Sequence, residues 1–230
     1  MSILIPSLIG LHLLAALASM TLGIMAMRTN QTPKAHKRIG IGYVITMSGV
    51  CITGGILLIF RFNFFLMLVT VLSAQSFITG LRAARRKSRG AISRFDWGVT
   101  LIAGCVAAVF LLYGILGLSG FIPTDFPTAY LIIGILFAVF IGQGVREDVQ
   151  FFRNPPTDRR AWLYFHIERM LGSYLALIVA MSVTVARFTL PAELQWVAWT
   201  VPPVVGGLLI SRYLKNYKAQ FVRPVAVSAD

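Results

Sequence analysis

Apolar runs long enough to cross a bilayer follow one another through this chain, with only short polar breaks between them. A hydrocarbon core of ~30 Å needs roughly 20 apolar residues per helical crossing. Seven stretches meet that requirement: 5–27, 39–60, 64–81, 98–118, 129–145, 167–186 and 197–213. Of 230 residues, 57% are hydrophobic and 13% charged, and the mean hydropathy of +0.78 leaves little sequence over for a soluble domain. The expected architecture is therefore all-α: one transmembrane domain over 1–230, an integral membrane bundle of seven helices. The first run lacks a cationic segment before it and is too long for the apolar core of a signal peptide, so it is read as a true span.

A net charge of +13 would point to nucleic acid in a soluble protein. Here the cations fall in alternate connections. The first holds Arg28, Lys34, Lys37 and Arg38, and the third holds Arg82, Arg85, Arg86, Lys87, Arg89 and Arg94. The fifth holds Arg146, Arg153, Arg159 and Arg160, and the tail holds Arg212, Lys215, Lys218 and Arg223. The intervening connections carry Arg61, no Lys or Arg, and Arg187. Lys and Arg accumulate in cytoplasmic loops, so the reading is a multi-pass protein of the bacterial inner membrane with its N-terminus outside and its C-terminus inside. Its expected partners are the bilayer and anionic lipids at the basic segments, above all RAARRK at 82–87, and not nucleic acid.

Short connections favour antiparallel neighbours packed as a bundle. The longest, 146–164, contains Asn154-Pro155-Pro156-Thr157 and reads as an ordered interfacial loop, because consecutive prolines cannot continue a helix. Pro202-Pro203 should kink the last span. Ala15, Ser19 and Gly23 recur at four-residue spacing and would let another helix approach closely. Cys51 and Cys105 lie in mid-run with no second thiol at a metal-ligand spacing, and read as core packing. No inverted pair of broken helices marks a midplane transport site.

Titratable chemistry is concentrated at one depth. His36 stands at the cytoplasmic mouth of the second span and His166 at that of the sixth, while His12 lies alone in the outer half of the first. At 3.6 residues per turn, His36, Gly40, Tyr43 and Met47 share a face if the second helix starts a turn early. His166, Met170, Ser173 and Leu177 share another, with Arg169 and Tyr174 at its flank. Gln143, Arg146, Glu147, Asp148 and Glu168 reach the same depth. Charges there need partners, so a network of Arg169 or Arg146 with Glu147, Asp148 or Glu168 is expected.

Two imidazoles at one depth suit three chemistries: axial ligation of one haem b, with Lys37, Arg38 and Arg169 placed for propionates; a divalent metal held by His36, His166 and Glu168; or a quinone or anionic head group hydrogen-bonded by His and Tyr. Interfacial polar residues without a ligand are the fourth reading. No lysine lies inside a span for a retinal Schiff base, and no GxGxxG, P-loop or GxSxG is present. Ser73, Gln75, Ser76 and Thr79 form part of a polar stripe in the third span.

KAHKRIGIGYVITMSG resembles the HxxxGxxY segment, and HIERMLGSYLALIVAMSV the HxxRMxGSY segment, of a family of small bacterial multi-spanning membrane proteins known as a domain of unknown function. HLLAALASMTLG is similar to that family's early histidine segment. The resemblance implies site positions at His12, His36, Gly40, Tyr43, His166, Arg169, Gly172, Ser173 and Tyr174. HKRIG also resembles the start of haem-bearing helices in ferric-reductase-like and cytochrome b561-like proteins. The functional expectation is a redox-associated membrane protein binding haem b or a quinone through His36, His166, Tyr43, Arg169, Ser173 and Tyr174. The alternatives are a small-solute permease using His12, Gln75 and Gln143 as in-membrane polar groups, and an assembly subunit that meets a membrane partner or a second copy of itself.

Overall fold

The computed structural model describes residues 3–86, 92–154 and 158–220. These fold into seven long α-helices: α1 (Leu4–Arg28), α2 (Pro33–Phe60), α3 (Phe64–Arg86), α4 (Arg94–Leu118), α5 (Thr128–Arg153), α6 (Ala161–Thr189) and α7 (Trp196–Ala219). A 3-10 turn, Ala192–Leu194, leads into α7. All seven are long and apolar enough to cross a membrane, so the chain is built as a multi-pass membrane protein.

Each helix outlasts its apolar run at the basic end. The 29 residues of α6 measure ~43 Å at 1.5 Å per residue, longer than the ~30 Å hydrocarbon layer. Its first turn and that of α2 therefore stand in the polar boundary, where charged residues remain helical. The segment 146–164 is accordingly not one long loop: α5 continues to Arg153 and α6 starts at Ala161. Pro155, Pro156 and Thr157 lie outside the described residues, as do Lys87, Arg89 and Arg223. Helix α7 runs unbroken through Pro202 and Pro203.

The helices α3 and α6 form the central pair. The α1–α2 hairpin packs on one side of it and the α4–α5 hairpin on the other, with α7 against α6 and α5. Two apolar cores result. One joins Phe65, Phe110, Phe137, Val179 and Trp199 across α3 to α7; Phe64 and Phe110 have ring centroids 4.0 Å apart there. The other joins Ala16, Tyr43, Met47, Phe77 and Leu177 across α1, α2, α3 and α6. Ala16, Ser19 and Gly23 are the buried residues of α1, so Ser19 and Gly23 of the expected small-residue spacing lie in the seam while Ala15 is only partly buried and its neighbour Ala16 takes the buried place. Cys51 packs against the second core, whereas Cys105 is exposed on the outer surface of α4 and is not a core residue.

Because consecutive helices reverse direction across short connections, the α1–α2, α3–α4 and α5–α6 turns and the end of α7 share one end of the bundle. The basic segments named above are therefore brought together there.

Candidate functional site at the basic end of the bundle

Both histidines of the basic end are anchored in the same way. His36 Nδ1 lies 2.9 Å from the Ala26 carbonyl of α1, and His166 Nδ1 lies 2.9 Å from the Gly80 carbonyl of α3. A carbonyl can only accept, so in each neutral ring the proton resides on Nδ1 and the lone pair on Nε2. Helix α2 begins at Pro33, and this early start keeps His36 in register with Tyr43 and Met47 on the buried face. Gly40 differs from that expectation, since a side chain there would meet only open space.

One to two turns deeper, Tyr43 donates its hydroxyl to Ser173 Oγ at 2.9 Å. Ser173 passes its own hydrogen to the Met170 carbonyl at 2.8 Å. Tyr174 reaches across to the Met20 carbonyl of α1 at 3.2 Å. Gly23 makes this closure fit, because a Cβ there would stand 2.5 Å from the Tyr174 ring and 3.3 Å from Tyr43. The tyrosines thus seal the bundle just below the histidines.

Arg169 sits at the centre of the buried face of α6 and not at its flank: it is only 6% exposed. Its Nη2 donates to the Gly144 carbonyl at 2.7 Å and to Asp148 Oδ1 at 2.8 Å. Glu147 adds a second carboxylate at 3.3 Å. The other oxygen of Asp148 accepts from Gln75 Nε2 at 2.9 Å and from Thr100 Oγ1 at 3.2 Å. One fully buried carboxylate therefore ties together α3, α4, α5 and α6. The guanidinium carbon lies 4.9 Å from the centroid of the Phe165 ring, and Nε is buried without a hydrogen-bond partner. Two glycines admit α6: a Cβ on Gly144 would lie 2.8 Å from Arg169 Nη1, and one on Gly80 would lie 2.8 Å from the Arg169 Cβ.

A second ionic group lies beside it. Asp96, in the first turn of α4, forms a capping box with Ser93 and takes a two-point bond from Arg82. Arg86 Nη1 stands 2.8 Å from Asp96 Oδ2, as an ion pair without hydrogen-bond alignment.

Other expected site residues are placed elsewhere. Gln143 is exposed and bonds Glu147 on its own helix at 2.8 Å. Gln75 is committed to Asp148, with its amide oxygen left without a partner. Arg146 is exposed and takes no part in the Arg169 network. Among the described residues no three His, Cys, Asp or Glu side chains group as a metal ligand set, so His36, His166 and Glu168 do not assemble as one. The reason is helical: two residues on from His166, Glu168 is turned by ~200° at 3.6 residues per turn, towards the charges of Glu147, Arg169 and Lys218.

His12 is not alone. Its Nδ1 lies 2.8 Å from Thr53 Oγ1 of α2. Sequence reading missed this partner, together with Thr46, Thr100 and the glycines at positions 80 and 144. Hydroxyls and glycines carry no signal until the facing helix is known. No family model, curated protein or solved structure matches the chain.

Proposed function

We propose that this protein binds the head group of a quinol or quinone at the basic end of the bundle, between His36 and His166, with that end on the cytoplasmic side of the membrane. The observation that carries the reading is the shared anchoring of the two imidazoles. With each Nδ1–H donated to a neighbouring helix, both Nε2 atoms are left as acceptors, the form that takes a hydrogen bond from a quinol hydroxyl or a bond to haem iron. The sealing tyrosines favour the smaller ligand. Tyr43, Ser173 and Tyr174 close the space below the histidines, so a ring at the mouth has its isoprenoid tail in lipid, whereas a haem macrocycle needs depth between α2 and α6. Arg169 is held through Nη2 by Asp148 and Gly144, and in this reading its part is to fix α6 and with it His166. The cytoplasmic side follows from the crowding of Lys and Arg at that end.

The test is quinone retention by the detergent-purified protein, read by mass spectrometry of an organic extract, together with the visible absorption spectrum. His36→Asn and His166→Asn keep an amide donor near the Nδ1 position and remove the Nε2 acceptor. Retention lost at least tenfold in either variant, with unchanged thermal unfolding, is the expected result. Equal retention in the double variant, or none in the wild type, overturns the reading; a Soret band in place of quinone assigns the same imidazoles to haem.

A further inference from the structure

Glycine inside a helix destabilises it relative to alanine, and several helical glycines of the basic end are explained by a close neighbour. A Cβ on Gly23 would stand 2.5 Å from the Tyr174 ring, one on Gly42 3.3 Å from Leu22, and one on Gly80 2.8 Å from the Arg169 Cβ. Gly40 is different. It lies inside α2, one turn from His36, and a Cβ there would meet nothing within 4 Å beyond its own stretch of helix. Nor does its backbone call for glycine, since the positive φ among the described glycines belongs to Gly120.

The opening belongs to the histidine site. At ~100° per residue, Gly40 is turned ~40° from His36 and Tyr43 ~20° to the other side, so one strip of α2 carries all three. His36 and Tyr43 are ~10 Å apart along the helix, and Gly40 stands between their levels. His36 Nδ1–H is held by the Ala26 carbonyl, which leaves Nε2 as an acceptor. Tyr43 has committed its hydroxyl to Ser173, so what remains of it for a ligand is the ring. On α6, Met170 holds the place one turn from His166 and packs on the core to which Tyr43 belongs; its flexible thioether conforms readily to an aromatic ring. An acceptor, a stretch of bare backbone with open space before it, and an aromatic floor follow one another down α2.

We propose that the bare backbone of α2 at Gly40 is the seat of the quinol ring, and that position 40 sets the size of ring the site accepts. One ring hydroxyl donates to His36 Nε2, the ring face lies against Gly40, Tyr43 stops it from sinking deeper, and Met170 bounds it on the α6 side. A side chain at position 40 would take the room the ring needs whatever its polarity, because the Cβ direction is the direction of the opening. Alanine fills a methyl's worth of that room, and leucine much more. The inference rests on the quinone reading of the two histidines and adds the surface that holds the ring, so that a residue without a side chain, as well as the hydrogen-bonding imidazoles, decides which quinols bind.

The experiment incubates the detergent-purified full chain with a decyl-substituted benzoquinol under argon, removes unbound ligand by gel filtration and measures the bound amount by mass spectrometry of an organic extract. Gly40→Leu fills the opening. Gly55→Leu is its control, because a Cβ on Gly55 also meets nothing within 4 Å and lies on the same helix, ~22 Å further along. Gly55→Leu should bind as the wild type does, Gly40→Leu at least tenfold less, and Gly40→Ala in between, with thermal unfolding of both Gly40 variants no lower than that of the wild type. Wild-type binding in Gly40→Leu, while His36→Asn still loses the ligand, overturns the seat and leaves the histidine reading standing. An equal loss in Gly55→Leu overturns it as well, by showing that any leucine on α2 has the effect. So does a midpoint well below wild type in both Gly40→Leu and Gly40→Ala, which would show the space to be closed by packing. A wild-type protein that takes up no benzoquinol overturns the seat and the quinone reading together.

Discussion

Arg169 Nη2 and Asp148 Oδ1 lie 2.8 Å apart in the interior of the bundle, where the carboxylate is fully buried and the arginine nearly so. A charge at that position costs several kcal/mol in desolvation and is tolerated because its partner and further hydrogen bonds replace water. Gly144, Gln75 and Thr100 supply those bonds, so four helices meet at one carboxylate.

Removing either partner therefore strands the other. Arg169→Ala or Asp148→Ala should lower stability by about 3–5 kcal/mol, the range for breaking a buried pair. The double replacement Arg169→Met with Asp148→Leu should recover most of that loss, because both charges leave together. Thermal unfolding in detergent followed by tryptophan fluorescence reads the difference. A double variant as unstable as the singles would mean that the pair is held for its hydrogen bonds and not for charge balance.

How far this site could be read from sequence follows from its chemistry. The helix count and the basic end were legible, because hydropathy and Lys/Arg placement act residue by residue along the chain. The partnership of Arg169 with Asp148 and Glu147 was legible as a set of choices, since buried charge demands opposite charge at equal depth. Its centre was not. Whether Arg169 lies on the flank or at the middle of the buried face of α6 depends on how α3 and α5 approach, and that is decided by Gly80 and Gly144, whose absent side chains leave no pattern of their own. His12 was misread as solitary for a similar reason: a threonine satisfies its own hydrogen within its helix, and only packing reveals that its oxygen faces an imidazole.

The glycines should be sharply unequal in tolerance. At Gly80 an added methyl would press on the Arg169 Cβ at 2.8 Å and on the Met170 backbone nitrogen at 3.3 Å, neither of which can swing aside. Overpacking of that kind costs about 1–3 kcal/mol. Gly142 has open space around it, so Gly142→Ala should leave stability unchanged or raise it slightly through helix propensity. Parallel melting curves of Gly80→Ala and Gly142→Ala decide the matter, and equal midpoints would contradict the close α3–α6 contact.

Asp96 ties the start of α4 to the end of α3. Its side chain accepts from the Ser93 backbone and from Arg82, while Ser93 Oγ accepts from the Asp96 backbone. Ser93→Ala should cost about 0.5–2 kcal/mol as the loss of a helix cap. Asp96→Ala should cost more, because it also leaves Arg86, whose terminal nitrogens are buried, without its carboxylate. Limited proteolysis at the α3–α4 connection is the direct readout, with faster cleavage in Asp96→Ala than in Ser93→Ala. The reverse order would show that the cap and not the ion pair holds the start of α4 against the end of α3.

The Tyr43 hydroxyl separates closure of the bundle from folding of α2. Ser173 keeps its own bond to the Met170 carbonyl when that hydroxyl is removed, so Tyr43→Phe leaves no donor stranded, only one acceptor lone pair unfilled. The expected loss is about 0.5–1.5 kcal/mol, the net worth of one hydrogen bond, with the ring still packed against Gly23 and Met47. Tyr43→Ala removes the ring as well and should cost about 3–5 kcal/mol, the range for emptying a buried aromatic position. Tyr43 and Tyr174 each bond across between the α1–α2 hairpin and α6, so labelling of Cys51 by a thiol reagent gives a local measure alongside global unfolding. It should be slow in the wild type and in Tyr43→Phe, and accelerated in Tyr43→Ala, because Cys51 is half-buried on the same hairpin beside the core that the ring completes. Acceleration of similar size in Tyr43→Phe would mean that the single bond to Ser173, and not ring packing, keeps the hairpin seated on the central pair.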